Sequence, residues 1–209
     1  MHVFIVGDSQ SQGAGSYLEK TLKAQGHTVT RKYKVGANSP QVLELAKSYS
    51  GKTPDLVVVF GSRAEGTVPS ATGIPALFPG SKILWYGPPP ATRIGNLSSA
   101  KASFPAAKTV DHWFTSGYAA EREAWNKKLP QVLPGRVQYV DWRSLALPSA
   151  IKQPSGVVFP VQADGIHVGK ATAEAAFSPS NWPPKSSKAP ALAVAALLGG
   201  FVYWTLRRK

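Results

Sequence analysis

Two short motifs near opposite ends of the chain carry residue types that could form a nucleophilic active site. Gly7-Asp8-Ser9 follows directly on an apolar run, and Asp164 stands three positions before His167. A serine hydroxyl becomes a nucleophile when an imidazole takes its proton, and a carboxylate beside the imidazole fixes the tautomer of the ring. The motifs therefore predict Ser9, Asp164 and His167 as a catalytic set.

Each motif also has a purely structural interpretation. Gly-Asp-Ser is common at turns, where the Asp and Ser side chains accept hydrogen bonds from backbone N–H groups. Asp164 could likewise cap a helix while His167 lies on the surface. The surroundings of Ser9 favour the catalytic interpretation, because a predicted strand precedes it and a run of small residues follows it.

The elements that must position these residues alternate between strands and helices. Apolar or alternating runs predict strands at 2–6, 27–33, 55–60, 82–86 and 136–140. Helical patterns are predicted up to Gly26, from a Ser39 cap onwards, at 115–129 and at 169–177. This alternation predicts an α/β fold, a three-layer flavodoxin-like parallel sheet of about five strands in the order 2-1-3-4-5. Ser9 would then lie at the carboxyl edge of the sheet.

The order and spacing of the two motifs resemble the SGNH (GDSL-like) hydrolase family of bacteria and phages, over residues 2 to about 177. The resemblance implies Ser9 as nucleophile, Asp164 and His167 as its partners, and no cofactor. It also implies an oxyanion hole that includes the backbone N–H groups of Ser9 and of Gly36, the glycine after the second strand.

One block of the chain departs from the family pattern. Where the family carries Gly-x-Asn after its central strand, this chain has Gly61-Ser62-Arg63. Arg63 could donate to an oxyanion or hold an anionic substrate, and Asn38 is a candidate substitute for the missing donor. The segment 85–90 resembles one found in bacterial and phage-associated members.

Composition narrows the function further. The chain has no cysteine, and its four histidines lack metal-ligand spacing, so we predict no metal site. The net charge of +13 favours anionic polymers or surfaces as partners. Basic residues do not cluster with aromatic ones in a nucleic-acid motif, so no specific nucleic acid is predicted.

The C-terminal part of the chain predicts a membrane anchor. Residues 1–177 form the predicted domain and 178–188 have the Pro/Ser-rich composition of a linker. Residues 189–206 are uncharged and apolar on all sides, end in an aromatic pair, and precede the basic tail 207–209. A core helix is the alternative, but it would normally show a polar face. The sequence therefore predicts a transmembrane helix and a lipid bilayer as partner.

The side of the membrane stays open. The basic tail favours a cytoplasmic C-terminus, whereas Met1 runs directly into the first strand and no cleavable signal peptide is expected. Three arrangements fit: a tail-anchored cytoplasmic domain, a domain translocated with its C-terminal anchor, and a protein of a membrane-containing virus particle.

Together these features predict a membrane-anchored serine esterase or deacetylase. Its expected substrates are acyl esters of bacterial surface glycan or peptidoglycan, followed by lipid esters. Two rivals remain: a degenerate relative that binds glycan without hydrolysing it, which Arg63 suggests, and a structural membrane protein, for instance of a phage, that uses the fold as a scaffold.

Overall fold

The computed structural model describes residues 1–61, 70–89, 108–109, 118–142, 152–153, 156–157, 167–179 and 182–183. Within these ranges a five-stranded parallel sheet has the order β2-β1-β3-β4-β5. Its strands are β1 His2–Gly7, β2 Thr28–Tyr33, β3 Leu56–Phe60, β4 Lys82–Tyr86 and β5 Val137–Val140. The predicted parallel sheet and its strand order are confirmed.

Helices connect and cover the strands. They are α1 Ser9–Ala24, α2 Ser39–Lys47, α3 Ile74–Leu77, α4 Tyr118–Val132 and α5 Lys170–Ala176, with a short 3-10 helix at Ser70–Gly73. A small antiparallel pair, β6 Lys152–Gln153 and β7 Gly156–Val157, lies outside the main sheet. The 3-10 helix, α3 and the small pair were not predicted from the sequence.

The sheet is covered on both faces because its central strands are apolar on both sides. In β1, Val3 and Ile5 belong to one core cluster, which also contains residues of α1 and α5. Phe4 and Val6 belong to the other cluster, with residues of α2, α3 and α4. The helices therefore form one layer on each face of the sheet. Because the strands are parallel, the connections that follow them all leave from the same edge.

The cap of α2 differs from the prediction by one residue. Asn38, not Ser39, is the N-cap, because its side chain accepts a hydrogen bond from the Gln41 N–H while the Gln41 side chain accepts one from the Asn38 N–H. Ser39 is the first helical residue, and its hydroxyl oxygen accepts a hydrogen bond from the Ala71 N–H at 2.9 Å. The serine therefore links α2 to the 3-10 helix.

A tryptophan that follows α5 packs against the core. Trp182, within the predicted linker 178–188, is buried, and its ring lies 6.4 Å from Tyr86 and 5.9 Å from Phe177 between centroids.

No helix in the described ranges is long and apolar enough to cross a membrane. The predicted span 189–206 and the tail 207–209 lie outside those ranges.

Candidate active site

Ser9 is the first residue of α1, at the carboxyl edge of the sheet. Asp8 caps the helix, accepting a hydrogen bond from the Gln10 N–H at 2.8 Å. Gly7 has to be glycine, because a Cβ there would collide with the Phe60 carbonyl oxygen of β3. Ser9 is half-buried, and its N–H has no acceptor within the helix at this first position. The serine thus lies where a helix N-terminus offers N–H donors and a positive dipole end.

His167 immediately precedes a residue that is bonded to the start of α1. The Val168 N–H donates to Gln10 Oε1 at 3.2 Å, across 158 positions of sequence. Both residues are buried, and His167 itself is half-buried. Because Gln10 follows Ser9 directly, this hydrogen bond brings the segments that carry Ser9 and His167 together.

Packing between α1 and α5 supports the same arrangement. The Thr21 hydroxyl donates to the Phe177 carbonyl oxygen at 2.8 Å. Leu18 of α1 and Ala173 of α5 are buried in one core cluster. The position of the segment before α5 is therefore fixed by two packed helices as well as by a single hydrogen bond.

Asp8, directly before the candidate nucleophile in the chain, carries a buried carboxyl group. Burial raises its pKa to about 6, whereas the hydrogen bond from the Gln10 N–H and the charges of Arg122 and His167 act to lower that pKa. The carboxyl group is therefore mainly ionised at pH 7 and titrates close to pH 6. The charge of His167 acts on this carboxyl group, which agrees with the position of the His167 segment beside the start of α1.

Arg122 supplies a buried positive charge that sequence reasoning missed. It is fully buried on the inner face of α4, together with Trp125 and Leu129, and its charge acts on Asp8. A signal was present in the sequence, because Arg122 occupies the apolar stripe of the predicted helix 115–129. A charge in such a stripe implies an opposite charge inside the fold.

The segment after β4 is held by side chains of α4 and β5. Asn126 donates to the Pro88 carbonyl oxygen at 2.9 Å and accepts a hydrogen bond from the Tyr139 hydroxyl at 2.6 Å. The Trp142 indole donates to the Gly87 carbonyl oxygen at 2.9 Å. A Cβ at Gly87 would collide with the Tyr139 hydroxyl, so a larger residue there would displace the side chains that hold this segment. The start of the segment that follows β4 is thus held in place.

Gly36 and Asn38 form the turn between β2 and α2, beside the end of β1. The Lys34 N–H donates to the Gly7 carbonyl oxygen at 3.3 Å, which fixes the turn against β1. Gly36 has a φ of 70°, in the left-handed region that favours glycine. Asn38 Oδ1 accepts from the Gln41 N–H at 3.0 Å, and the Asn38 N–H donates to Gln41 Oε1 at 3.1 Å. The cap therefore occupies two of the polar groups of Asn38.

Two predicted site residues, Asp164 and Arg63, lie outside the described residues. Their assigned roles stay predictions. The structure brings the segments of Ser9, His167, Gly36 and Asn38 to one edge of the sheet.

Comparison with known proteins supports the fold. Neither a protein-family model nor a curated protein sequence matches the chain. The chain is similar to the periplasmic domain of a Salmonella serovar Paratyphi A lipopolysaccharide acetyltransferase, with 18% identity and a TM-score of 0.51, covering 84% of this chain and 80% of that one. It is also similar to a possible lipase from Chitinophaga pinensis, with 13% identity and a TM-score of 0.50, covering 95% of this chain and 98% of the other. At these identities the likeness shows a shared fold.

Proposed function

We propose that the protein is an SGNH-type serine ester hydrolase, an esterase or deacetylase that removes acyl groups from a bacterial surface glycan. The hydrogen bond from the Val168 N–H to the Gln10 side chain carries this proposal, because it joins the segments of Ser9 and His167. The chain shares its fold with the periplasmic domain of a lipopolysaccharide acetyltransferase, which supports acyl chemistry on a glycan. Lipid esters are the second substrate class.

In the proposed reaction Ser9 Oγ attacks the ester carbonyl carbon while His167 takes the hydroxyl proton. Asp164 orients the imidazole and stabilises its protonated form. The tetrahedral intermediate then expels the sugar alcohol, which receives the proton from His167. A water molecule, deprotonated by His167, hydrolyses the acyl-enzyme and restores the Ser9 hydroxyl.

Negative charge on the carbonyl oxygen needs donors at the sheet edge. We assign this role to the Ser9 N–H at the start of α1 and to the Gly36 N–H of the neighbouring turn. Arg63, where the resemblance implies an Asn donor, is assigned to an anionic group of the substrate, since its long charged side chain suits a more distant anion.

The proposal includes a membrane location. The apolar, uncharged segment 189–206, followed by the basic residues 207–209, supports a single-pass C-terminal anchor. Such an anchor would hold the hydrolase domain beside cell-surface or viral-membrane substrates.

The Ser9→Ala variant tests the proposed nucleophile. Full-length protein in detergent should hydrolyse p-nitrophenyl acetate and react with a fluorophosphonate label. Ser9→Ala should abolish labelling and lower kcat by at least 10³-fold. Ser16→Ala is the matched control, because Ser16 is a half-buried serine of the same helix whose hydroxyl bonds to the Gly13 carbonyl oxygen. Wild-type turnover in Ser9→Ala would exclude the mechanism.

A glycan-binding protein without turnover is the second candidate function, and Arg63 in place of the expected Asn favours it. Loss of one oxyanion donor costs about 10²- to 10³-fold in rate. Under our proposal Arg63→Ala mainly raises KM for anionic esters. If Arg63→Asn instead raises kcat far above wild type, the arginine has replaced a catalytic group and the binding function is favoured.

A further inference from the structure

The end of β2 exposes an aromatic ring and an aliphatic side chain beside a lysine. Tyr33 is 39% exposed and Val35 is 59% exposed, whereas the other Phe, Tyr and Trp side chains that the structure describes are buried or half-buried. Lys34 between them is also exposed. We call residues 33–35 the β2 platform.

The β2 platform lies next to the candidate nucleophile. Tyr33 pairs with Gly7 in the register between β2 and β1, and the Lys34 N–H donates to the Gly7 carbonyl oxygen. Gly7 is two residues before Ser9, and Gly36, the assigned oxyanion donor, directly follows the platform. The β2 platform therefore adjoins the proposed ester-binding position.

The Tyr33 ring is held in place from behind. The Arg31 guanidinium lies over the ring, 4.7 Å from its centroid. Arg31 Nε in turn donates to Glu19 at 2.6 Å, and Arg31 Nη1 donates to the Ser11 carbonyl oxygen at 3.0 Å. Both acceptors belong to α1, the helix that begins at Ser9. The ring is thus fixed relative to the serine, which lowers the entropy lost when a ligand packs on it.

We propose that Tyr33 and Lys34 form a substrate subsite for an anionic glycan. A sugar ring next to the esterified sugar packs its C–H face on the open face of Tyr33, and the Lys34 ammonium group pairs with a carboxylate or phosphate of the glycan. The assignment rests on the proposed function, which supplies the glycan ester. The charge of the chain, +13, matches an anionic polymer.

The test compares two esters in the full-length protein. Soluble O-acetylated muropeptides are large enough to reach the β2 platform and carry carboxylates that can pair with Lys34. The small, neutral p-nitrophenyl acetate can do neither. In Tyr33→Ala the ratio of kcat/KM for the muropeptide to that for p-nitrophenyl acetate should fall about tenfold. Lys34→Gln should lower kcat/KM for the muropeptide but not for neutral O-acetylated xylo-oligosaccharides.

Two further variants separate recognition from folding. Tyr33→Leu keeps an apolar cover over Arg31 but lacks a flat ring, and it should lower the same ratio. Leu77→Ala is the control, since Leu77 is equally exposed at 39% but belongs to α3, and its ratio should equal that of wild type. An unchanged ratio in both Tyr33 variants overturns the subsite.

Direct binding distinguishes this proposal from the proposed function. If wild type hydrolyses neither ester, the hydrolase proposal fails. In that case calorimetry with the muropeptide tests the subsite by itself. An affinity about tenfold weaker for Tyr33→Ala than for wild type supports the subsite. Equal affinity of the two proteins, or no binding to wild type, overturns it.

Discussion

Gln10 is the residue that joins the two parts of the candidate site, and it makes their coupling testable. Its side-chain oxygen accepts the hydrogen bond from the backbone beside His167. Gln10→Met keeps the length of the side chain but removes this acceptor. We expect kcat for p-nitrophenyl acetate to fall about tenfold with KM nearly unchanged, because a displaced imidazole slows proton transfer without altering the binding surface.

The control for this change is Gln12→Met, since Gln12 is exposed on the same turn of α1. Steady-state kinetics across pH 5–9 should show an altered profile only in Gln10→Met. A Gln10→Met protein that melts at a lower temperature yet keeps the wild-type kcat and pH profile would show that the contact is structural.

The raised pKa of the buried Asp8 carboxyl group predicts how the free energy of unfolding changes with pH. Its pKa in the folded protein is about 6, above the ordinary value of 3.8 for an Asp side chain, so the fold favours the protonated carboxyl group. The associated stability is present below pH 4 and is lost as the pH rises through 6. Urea unfolding should show that wild type loses about 2 to 3 kcal/mol relative to Asp8→Asn between pH 4 and pH 7.

The Asp8→Asn variant also removes a negative charge near the buried Arg122, but this loss does not alter the predicted direction of the pH dependence. Asp8→Asn keeps an acceptor for the Gln10 N–H, and the buried guanidinium adds an offset that is the same at every pH. His167 also acts on Asp8, so the comparison is repeated in a His167→Ala background. A difference between the two proteins that stays constant from pH 4 to pH 7 contradicts the assignment.

At the level of elements, the cap of α2 connects helix stability with the candidate oxyanion hole. Asn38→Ala removes the acceptor for the Gln41 N–H and should lower the free energy of unfolding by about 1 kcal/mol. Asn38→Asp keeps the acceptor and should retain wild-type stability in urea unfolding. Both variants lack the amide donor of Asn38, so a fall in kcat in both assigns that donor to the oxyanion. Equal stability of Asn38→Ala and wild type contradicts the cap.

The strands were predictable because their side-chain pattern reflects their position in the sheet. The run in β3 is apolar on both faces and lies centrally, whereas β2 alternates and lies at the edge. The 3-10 helix and α3 are too short for periodicity to reveal. They form because Ala71 and Ile74 are buried in the cluster that contains α2, and such tertiary contacts leave no local pattern.

The candidate site was predictable only in part for the same reason. The order of the motifs pointed to Ser9 and His167, and parallel strand ends explain why Gly36 lies at the same edge. The interaction of Asp8 with Arg122 joins α1 to α4, and Gln10 reaches Val168 across most of the chain. These contacts depend on how helices pack over the sheet, which single-sequence patterns do not determine.

On the scale of the whole molecule, the distribution of charge and the apolar C-terminal segment both favour association with a membrane. All 11 acidic residues precede residue 178, whereas five basic residues follow it: Lys185, Lys188, Arg207, Arg208 and Lys209. A basic flank on an apolar segment is attracted to anionic lipid headgroups and resists transfer through the bilayer. Two forces could therefore hold the chain at a membrane, and they differ in their response to salt.

The proposed anchor predicts which of these forces dominates. Full-length protein should stay in the membrane fraction in 1 M salt and in alkaline carbonate, whereas deletion of 189–209 should release an active domain. The deletion begins after Trp182 because that ring packs on Tyr86 in the core. Leu198→Arg places a charge within the apolar segment, which costs about 2.5 to 3.5 kcal/mol at the centre of a membrane helix, and should weaken partitioning about 100-fold. Release of the unmodified chain by salt alone would mean that basic residues hold it at the surface and that 189–206 does not span the bilayer.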